Sequence, residues 1–370
     1  MDKRAIPLEL FFDLVFVLAV TEVTAFVVHD LSFGGFARGA LIMAILWWGW
    51  TQYTWAANAI DLEPRKVRVT IILAMGVALI MAHAVPNAFG DGGLWLAVGY
   101  AALRGIGVWK HWTGTSHDAG TRKALLPFIR WSSIGPIVLI IGGLVGDPAR
   151  TWVWVAAMAF EVIAALRAGS GTWTINAEHF SERHALIIII ALGESIVAVG
   201  SSVAGEPPSF EIATVLLVAL AGTALLWWAY FDWLGDHWEH GLRMTPHGDR
   251  GRYARDVYSL LHYAMISGIV LYAVAAEEMV AHPDEALSTG GRVALALGLG
   301  LYLLGQVAAT YRSSGRLLWD RLSVTAVLAA FILVAGALLA GWLIGVSIVV
   351  LATALANEQR SNRGRVAPVG

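Results

Sequence analysis

The sequence predicts an all-α membrane protein of about twelve transmembrane helices, arranged as two parallel six-helix repeats. Composition is the first observation behind this fold class. The chain is 58% hydrophobic and 14% charged, with a mean hydropathy of +0.66, whereas soluble domains are about 25% charged. The second is length: apolar runs of roughly 16–24 residues, enough to cross a hydrocarbon core of about 30 Å, recur along the whole chain. The third is order, because landmarks of the first half return in the same succession in the second.

The first span centres on Phe16. Lys3 and Arg4 precede it as in a secretory leader, but Glu9 and Asp13 interrupt the apolar stretch and no small-residue cleavage site follows, so a retained helix is expected. The second, around Leu46, ends in Trp47, Trp48, Trp50, Gln52, Tyr53, Trp55 and Asn58; the third, around Met75, follows the basic group Arg65, Lys66 and Arg68. The fourth, around Tyr100, is weakened by Arg104. Gly142 and Gly146 in the fifth, around Leu139, form a GxxxG pattern that permits close helix packing. Trp152 opens the sixth, centred on Met158 and containing Glu161. The seventh centres on Ile190, and the eighth, around Ala219, ends in Trp227, Trp228, Tyr230, Asp232 and Trp233. Spans nine to twelve centre on Ser267, Leu299, Ala329 and Val349, the last two separated only around Leu339–Trp342.

Sorting the basic residues sets the orientation. With a cytoplasmic N-terminus only Arg38, Arg150 and Arg292 fall outside, Arg104 lies within a span, and the rest of the 25 lysines and arginines fall inside. That bias is the one membrane insertion imposes, and it places both termini in the cytoplasm.

The halves, residues 1–170 and 171–370 of one integral membrane domain, resemble each other. Ile45-Leu46-Trp47-Trp48-Gly49-Trp50 returns as Leu225-Leu226-Trp227-Trp228-Ala229-Tyr230, and Arg65-Lys66-Val67 as Arg255-Asp256-Val257. Offsets of roughly 172–190 residues relate them, and an even number of spans per half makes the copies parallel. Apolar, tryptophan-rich helices also match by composition alone, and that explanation stays open.

Carboxylates in apolar runs mark the candidate site, since each costs on the order of 2.5–3.5 kcal/mol at mid-bilayer. Glu9 and Asp13 share a helix face at i, i+4, and Glu22 lies about 20 Å farther along. Two carboxylates side by side in low dielectric require a proton or a cationic partner. His179, Glu182, Arg183 and His184 cluster at the cytoplasmic end of the seventh span, and Glu194 and Ser195 lie deeper. Arg183, always charged and forked, is the expected partner of Glu9 or Asp13; Glu9 alternatively pairs at the membrane edge. His262 and Tyr263 are candidates for the same inner cluster, and the histidines suit proton relay. The tandem tryptophans read as an interfacial belt or, with Asp232, as an aromatic vestibule for an organic cation. Arg65 and Arg255 either snorkel to the inner headgroups, which is the favoured expectation, or hold carboxylates.

Several chemistries are excluded. There is no cysteine for disulfides, thiolate metal sites or a thiol nucleophile. A net charge of -2 with scattered basic residues gives no nucleic-acid stripe. No phosphate or dinucleotide fingerprint, nucleophile elbow or zinc pattern occurs, and no cofactor or metal is expected.

Pro7–Val17, reading Pro-Leu-Glu-Leu-Phe-Phe-Asp-Leu-Val-Phe-Val, and Glu182–Ile196, with Glu-Arg-His followed by Ile-Ala-Leu-Gly-Glu-Ser-Ile, closely resemble the two motifs of the bacterial low temperature requirement A family. The tandem tryptophans and Leu261-His262-Tyr263 extend the likeness over nearly the whole chain. The resemblance implies the membrane class and directs attention to Glu9, Asp13, Glu182, Arg183, His184, Glu194 and Ser195; it implies no particular activity. The leading expectation is a transporter or channel for a small solute or ion, with the bilayer as its other partner. The alternatives are a membrane-embedded enzyme acting on a lipid or hydrophobic substrate, and a structural or regulatory membrane protein.

Overall fold

The structure, a computed structural model, describes residues 6–59, 64–114, 123, 126, 129–131, 133–168 and 175–363. Among these residues every regular element is helical: α1 Pro7–His29, α2 Phe33–Ala59, α3 Arg65–Ala84 with a 3₁₀ turn Val85–Asn87, α4 Gly93–Gly114, α5 Ile134–Leu144, α6 Ala149–Ala168, α7 Ala177–Ser202, α8 Phe210–Phe231, α9 Leu234–Met244, α10 His247–Ala254, a π-helical turn Arg255–Leu260, α11 Leu261–Ala281, α12 Thr289–Ser314, α13 Trp319–Val334 and α14 Ala340–Arg363. With no water in a bilayer to satisfy backbone groups, helices that bond internally are the element an apolar chain adopts.

Local chemistry sets several ends. Pro7 opens α1, and the Glu9 carboxylate accepts the Ile6 amide at 3.0 Å, so a residue of the candidate site also caps its own helix. Asn176 caps α7 by accepting the His179 amide at 3.0 Å. Ser209 and Ser288 cap α8 and α12, and α12 stops at Gly315, whose φ of 68° suits a residue without Cβ.

Eight of the helical segments among the described residues are long and apolar enough to cross a membrane: Pro7–His29, Arg65–Asn87, Ala149–Arg167, Ala177–Ser202, Phe210–Met244, His247–Ala281, Thr289–Ser314 and Ala340–Arg360. This is a multi-pass membrane protein, with fewer spans shown than the expected twelve. The four remaining expected centres, Leu46, Tyr100, Leu139 and Ala329, also fall on helices. They differ from the eight for separate reasons. Tryptophans and glycines dilute the hydropathy of α2, Arg104 and Lys110 that of α4, and α5 and α13 have only 11 and 16 residues.

The chain divides into two compact units, the first formed by residues up to Ile190 with Trp238–Tyr263, the second by Ala191–His237 with Ala264 onward. In the first, α1 packs on α2 and α3, α3 on α4, and α4 on α2 and α5, while α6 closes on α5 and α2. Gly142 of the GxxxG pair lies flush against Trp154, whereas Gly146 meets nothing; its close-packing partner is instead Gly143, where a Cβ would stand 3.0 Å from the Leu94 backbone. In the second unit α12 packs on α13, and α14 on α13 and α8. Gly268 and Gly298 let α11 and α12 touch backbone to backbone, since a Cβ on Gly268 would lie 2.6 Å from the Gly298 carbonyl. The helix α9 buries Leu234, Trp238 and Leu242 at successive i, i+4 positions and exposes Asp236, His240 and Arg243, the pattern of a surface helix.

Candidate functional site

The polar centre of the first unit forms around Arg183, which is fully buried. Its Nη1 donates to Glu9 Oε1 at 2.8 Å and its Nη2 to Asp13 Oδ1 at 2.5 Å. The i, i+4 spacing of the two acids on α1 matches the fork of one guanidinium on α7, so one cation serves both. Arg183 reaches across 174 and 170 residues of sequence to make the pair.

The remaining contacts fix proton positions. Asn58 at the end of α2 clamps the Asn176 backbone, accepting its N–H at 3.0 Å and donating to its C=O at 3.2 Å, so the amide cannot flip. Its nitrogen therefore faces His179 Nδ1 at 3.0 Å and donates to it. His179 Nδ1 accepts that bond, and its Nε2 stands 3.0 Å from both oxygens of Glu9 and donates to them. Glu9 is thus saturated by Arg183, His179 and the Ile6 amide. Asp13 is not: Oδ1 accepts Arg183 and, at 2.8 Å, the Trp50 indole, while Oδ2 is buried with no hydrogen-bond partner. Phe12 and Tyr53, stacked at 4.0 Å, are also buried.

A second layer consists of rings. His184 is fully buried and its Nδ1 donates to the Phe180 carbonyl at 2.8 Å, while Nε2 has no hydrogen-bond partner. Trp50, Phe180, Tyr258 and His262 stand around it at centroid distances of 5.1, 4.6, 5.0 and 5.3 Å. The π-helical turn supplies Tyr258, and His262 follows it in the first turn of α11. The wider winding of the π turn lets His262 Nδ1 bond the Val257 carbonyl, five residues back, at 2.9 Å, and presents Ser259 to two tryptophans. Trp47 donates to the Ser259 carbonyl at 2.6 Å and Trp55 to its hydroxyl at 3.0 Å.

The sequence-derived candidates therefore divide. Glu9, Asp13, His179, Arg183, His184 and His262 come together. Glu22 is half-buried about 20 Å up α1 from Glu9. Glu182, on the same turn as Arg183, is half-buried. Glu194 and Ser195 are buried but belong to the second unit, where Ser195 donates to the Leu192 carbonyl at 2.7 Å. Asp232 is exposed at the end of α8. Tyr263 donates to the Ala40 carbonyl at 2.8 Å, outside the imidazole group.

Three expectations are revised. Trp47, Trp48 and Trp50 are buried, and Trp47 and Trp50 donate hydrogen bonds, so they are no interfacial belt; Trp227 and Trp228, 44% and 48% exposed, do suit one. Arg255 does not snorkel: it holds Asp256 at 2.5 Å and the carbonyls of Ala165 and Leu166. Arg104, which weakened the fourth expected span, is buried in α4, where Glu161 of α6 pairs with it at 2.8 Å and also accepts Tyr100 at 2.8 Å.

Sequence reasoning missed two features. Asn176 was not singled out, although an Asn before a helix start is a capping signal. A further buried centre in the second unit also went unrecognised: Arg321 bonds Glu358 at 2.8 Å, the Ala229 carbonyl at 2.9 Å and Gln306, and Trp233 adds a bond to Glu358 at 2.9 Å. Arg321 had been read as an ordinary cytoplasmic cation.

The motifs that build the first centre are also those by which the chain is related to others. The family described as Bacterial low temperature requirement A protein (LtrA) matches residues 4–356. The chain belongs to this family. One LtrA relative, an uncharacterized protein of Rhizobium meliloti (strain 1021), is 29% identical over 327 residues, covering 85% of this chain and 79% of its own. No solved structure matches the chain.

Proposed function

We propose that this LtrA protein is a carrier or channel for a small solute or ion, in which the Glu9–Arg183–Asp13 centre is the coupling element. One observation carries the proposal: two buried carboxylates share one guanidinium, so the centre holds one carboxylate more than its permanent cation balances. The shortfall is localised at Asp13 Oδ2, which has no hydrogen-bond partner. A desolvated site with that deficit binds a proton or small cation and releases it when its surroundings change, which is the property a coupled carrier uses.

The architecture proposed with it is about twelve spans in two parallel halves, 1–170 and 171–370, with both termini cytoplasmic. Packing supports the repeat, because α2–α6, α4–α5 and α5–α6 of the first unit correspond to α8–α14, α12–α13 and α13–α14 of the second. Side chains support it too: Tyr100, Arg104 and Glu161 are matched, about 200 residues on, by Tyr302, Gln306 and Glu358.

The test is reconstitution into liposomes with a screen for proton-coupled uptake and ion currents over a panel of small solutes. Asp13→Asn is expected to abolish coupling and Glu194→Gln to reduce flux; activity indifferent to both removes the mechanism. Two specific observations favour other functions. The unpartnered Nε2 of His184 beside His262 suits a base in an enzyme acting on a hydrophobic substrate, and turnover lost in His184→Gln with no flux in the wild type would establish that function instead. The complete burial of the centre suits a structural lock, for which Asp13→Asn alters stability alone.

A further inference from the structure

We propose that the cleft between the end of α3 and the start of α4 binds a zwitterionic aminophospholipid. The cleft has a volume of about 710 Å³, in the range of pockets that hold organic ligands rather than a lone ion. Its position in the bilayer follows from α3, which carries Arg65, Lys66 and Arg68 in its first turn and reaches the cleft with its other end. The cleft therefore lies near the membrane interface opposite the basic one, and this holds whichever side that interface faces.

Polarity is graded along it. Leu79 and Ile80, about half exposed, and Trp95, 64% exposed, form the apolar wall. His83, one turn beyond Leu79, and then Asn87 and Asp91 form an exposed polar rim. The floor is nearly bare backbone: a Cβ on Gly92 would stand 2.6 Å from the Ala84 carbonyl and 2.8 Å from that of Asn87, so no side chain fits there. An apolar wall within the bilayer, an aromatic residue at its edge and hydrogen-bonding groups one to two turns outward match an acyl chain, a glycerol region and a headgroup.

Charge selects the headgroup. Asp91 is the charged residue on the rim, and the nearby cations are committed elsewhere. Arg150 is buried with its guanidinium turned to the carbonyls of Ala88, Gly90, Gly142, Gly143 and Val145, and Arg38 pairs with Asp147. An anionic headgroup meets a carboxylate and no available cation. A phosphoethanolamine headgroup offers its ammonium to Asp91 and its phosphate to the donors of His83 and Asn87.

The experiment is native mass spectrometry of the delipidated full chain in detergent, with equimolar phosphatidylethanolamine and phosphatidylglycerol. Retention of phosphatidylethanolamine is expected to exceed that of phosphatidylglycerol by about fivefold, the scale of one partly exposed ion pair. Asp91→Asn should bring the two lipids to parity, and Trp95→Ala should lower retention of both. Trp152→Ala, at a tryptophan 71% exposed and outside the cleft lining, should change neither. Equal retention by the wild type, or a preference that survives Asp91→Asn, overturns the proposal. So does free phosphoethanolamine competing as well as the intact lipid, because the apolar wall would then contribute nothing.

Discussion

Arg183 in the first unit and Arg321 in the second are both almost wholly buried, both bridge helices far apart in sequence, and both bond carboxylates within 2.8 Å, yet their charge balance differs. Arg321 faces one carboxylate, Glu358, and spends its remaining donors on a carbonyl and an amide. Arg183 faces two carboxylates and leaves one oxygen of Asp13 unmatched. A balanced buried pair needs nothing further to be satisfied; an unbalanced one holds a place for an exchangeable charge. Burial and ion pairing alone therefore do not separate the two centres. The surplus does, and it is what the proposed function rests on.

The largest effect that tests this contrast is expected from Arg183→Met, which leaves Glu9 and Asp13 buried without their cation. Thermal unfolding in detergent should register a loss of about 3–5 kcal/mol, the cost of breaking a buried pair. Glu358→Gln keeps the shape of the second centre but strands Arg321, and about 2–3 kcal/mol should be lost in the same assay. The tandem tryptophans provide the next step: Trp50→Phe removes a donor to Asp13 and should cost about 1–3 kcal/mol, whereas Trp227→Phe on an exposed face should stay within about 0.5 kcal/mol. Among the charged residues of the two centres Asp13→Asn is expected to have the smallest effect, within about 1 kcal/mol of wild type or stabilising, because it removes the surplus charge while an amide oxygen still accepts from Trp50 and Arg183. A large loss in Asp13→Asn would make the two centres equivalent and break the comparison.

How legible these centres were in the sequence depended on which face a residue turned. Glu9 and Asp13 stood out because two acids at i, i+4 within an apolar run have few structural excuses, and the contact with Arg183 followed from needing one forked cation for both. Arg321 was missed because it lies in the first turn of α13, where an arginine reads as a snorkelling cation and its burial is decided by α8, α12 and α14. The tryptophans were misassigned for a related reason. Trp47-Trp48 and Trp227-Trp228 are the same dipeptide, each near the end of a long apolar helix, and hydropathy gives them one value. The first pair is buried, and Trp47 meets the Ser259 carbonyl, 212 residues away. The clamp of Asn58 on Asn176, and with it the direction of the Asn58–His179 bond, rests on a backbone pairing that no side-chain pattern announces.

By itself the sequence determined that this is a helical multi-pass membrane protein of the LtrA family, and it singled out the two acidic motifs as costly to bury. Those properties are local: they follow from composition, run length and i, i+4 spacing, each of which is read along one chain segment. Tertiary structure decided which charges cancel, which way the Asn58–His179 bond runs, where α10 widens into a π turn and which of two identical tryptophan pairs lies inside. The partners come from other helices, 37 residues away for Arg321 and Glu358 and 174 for Arg183 and Glu9, and hydrogen-bond geometry over such separations exists only once the helices have packed.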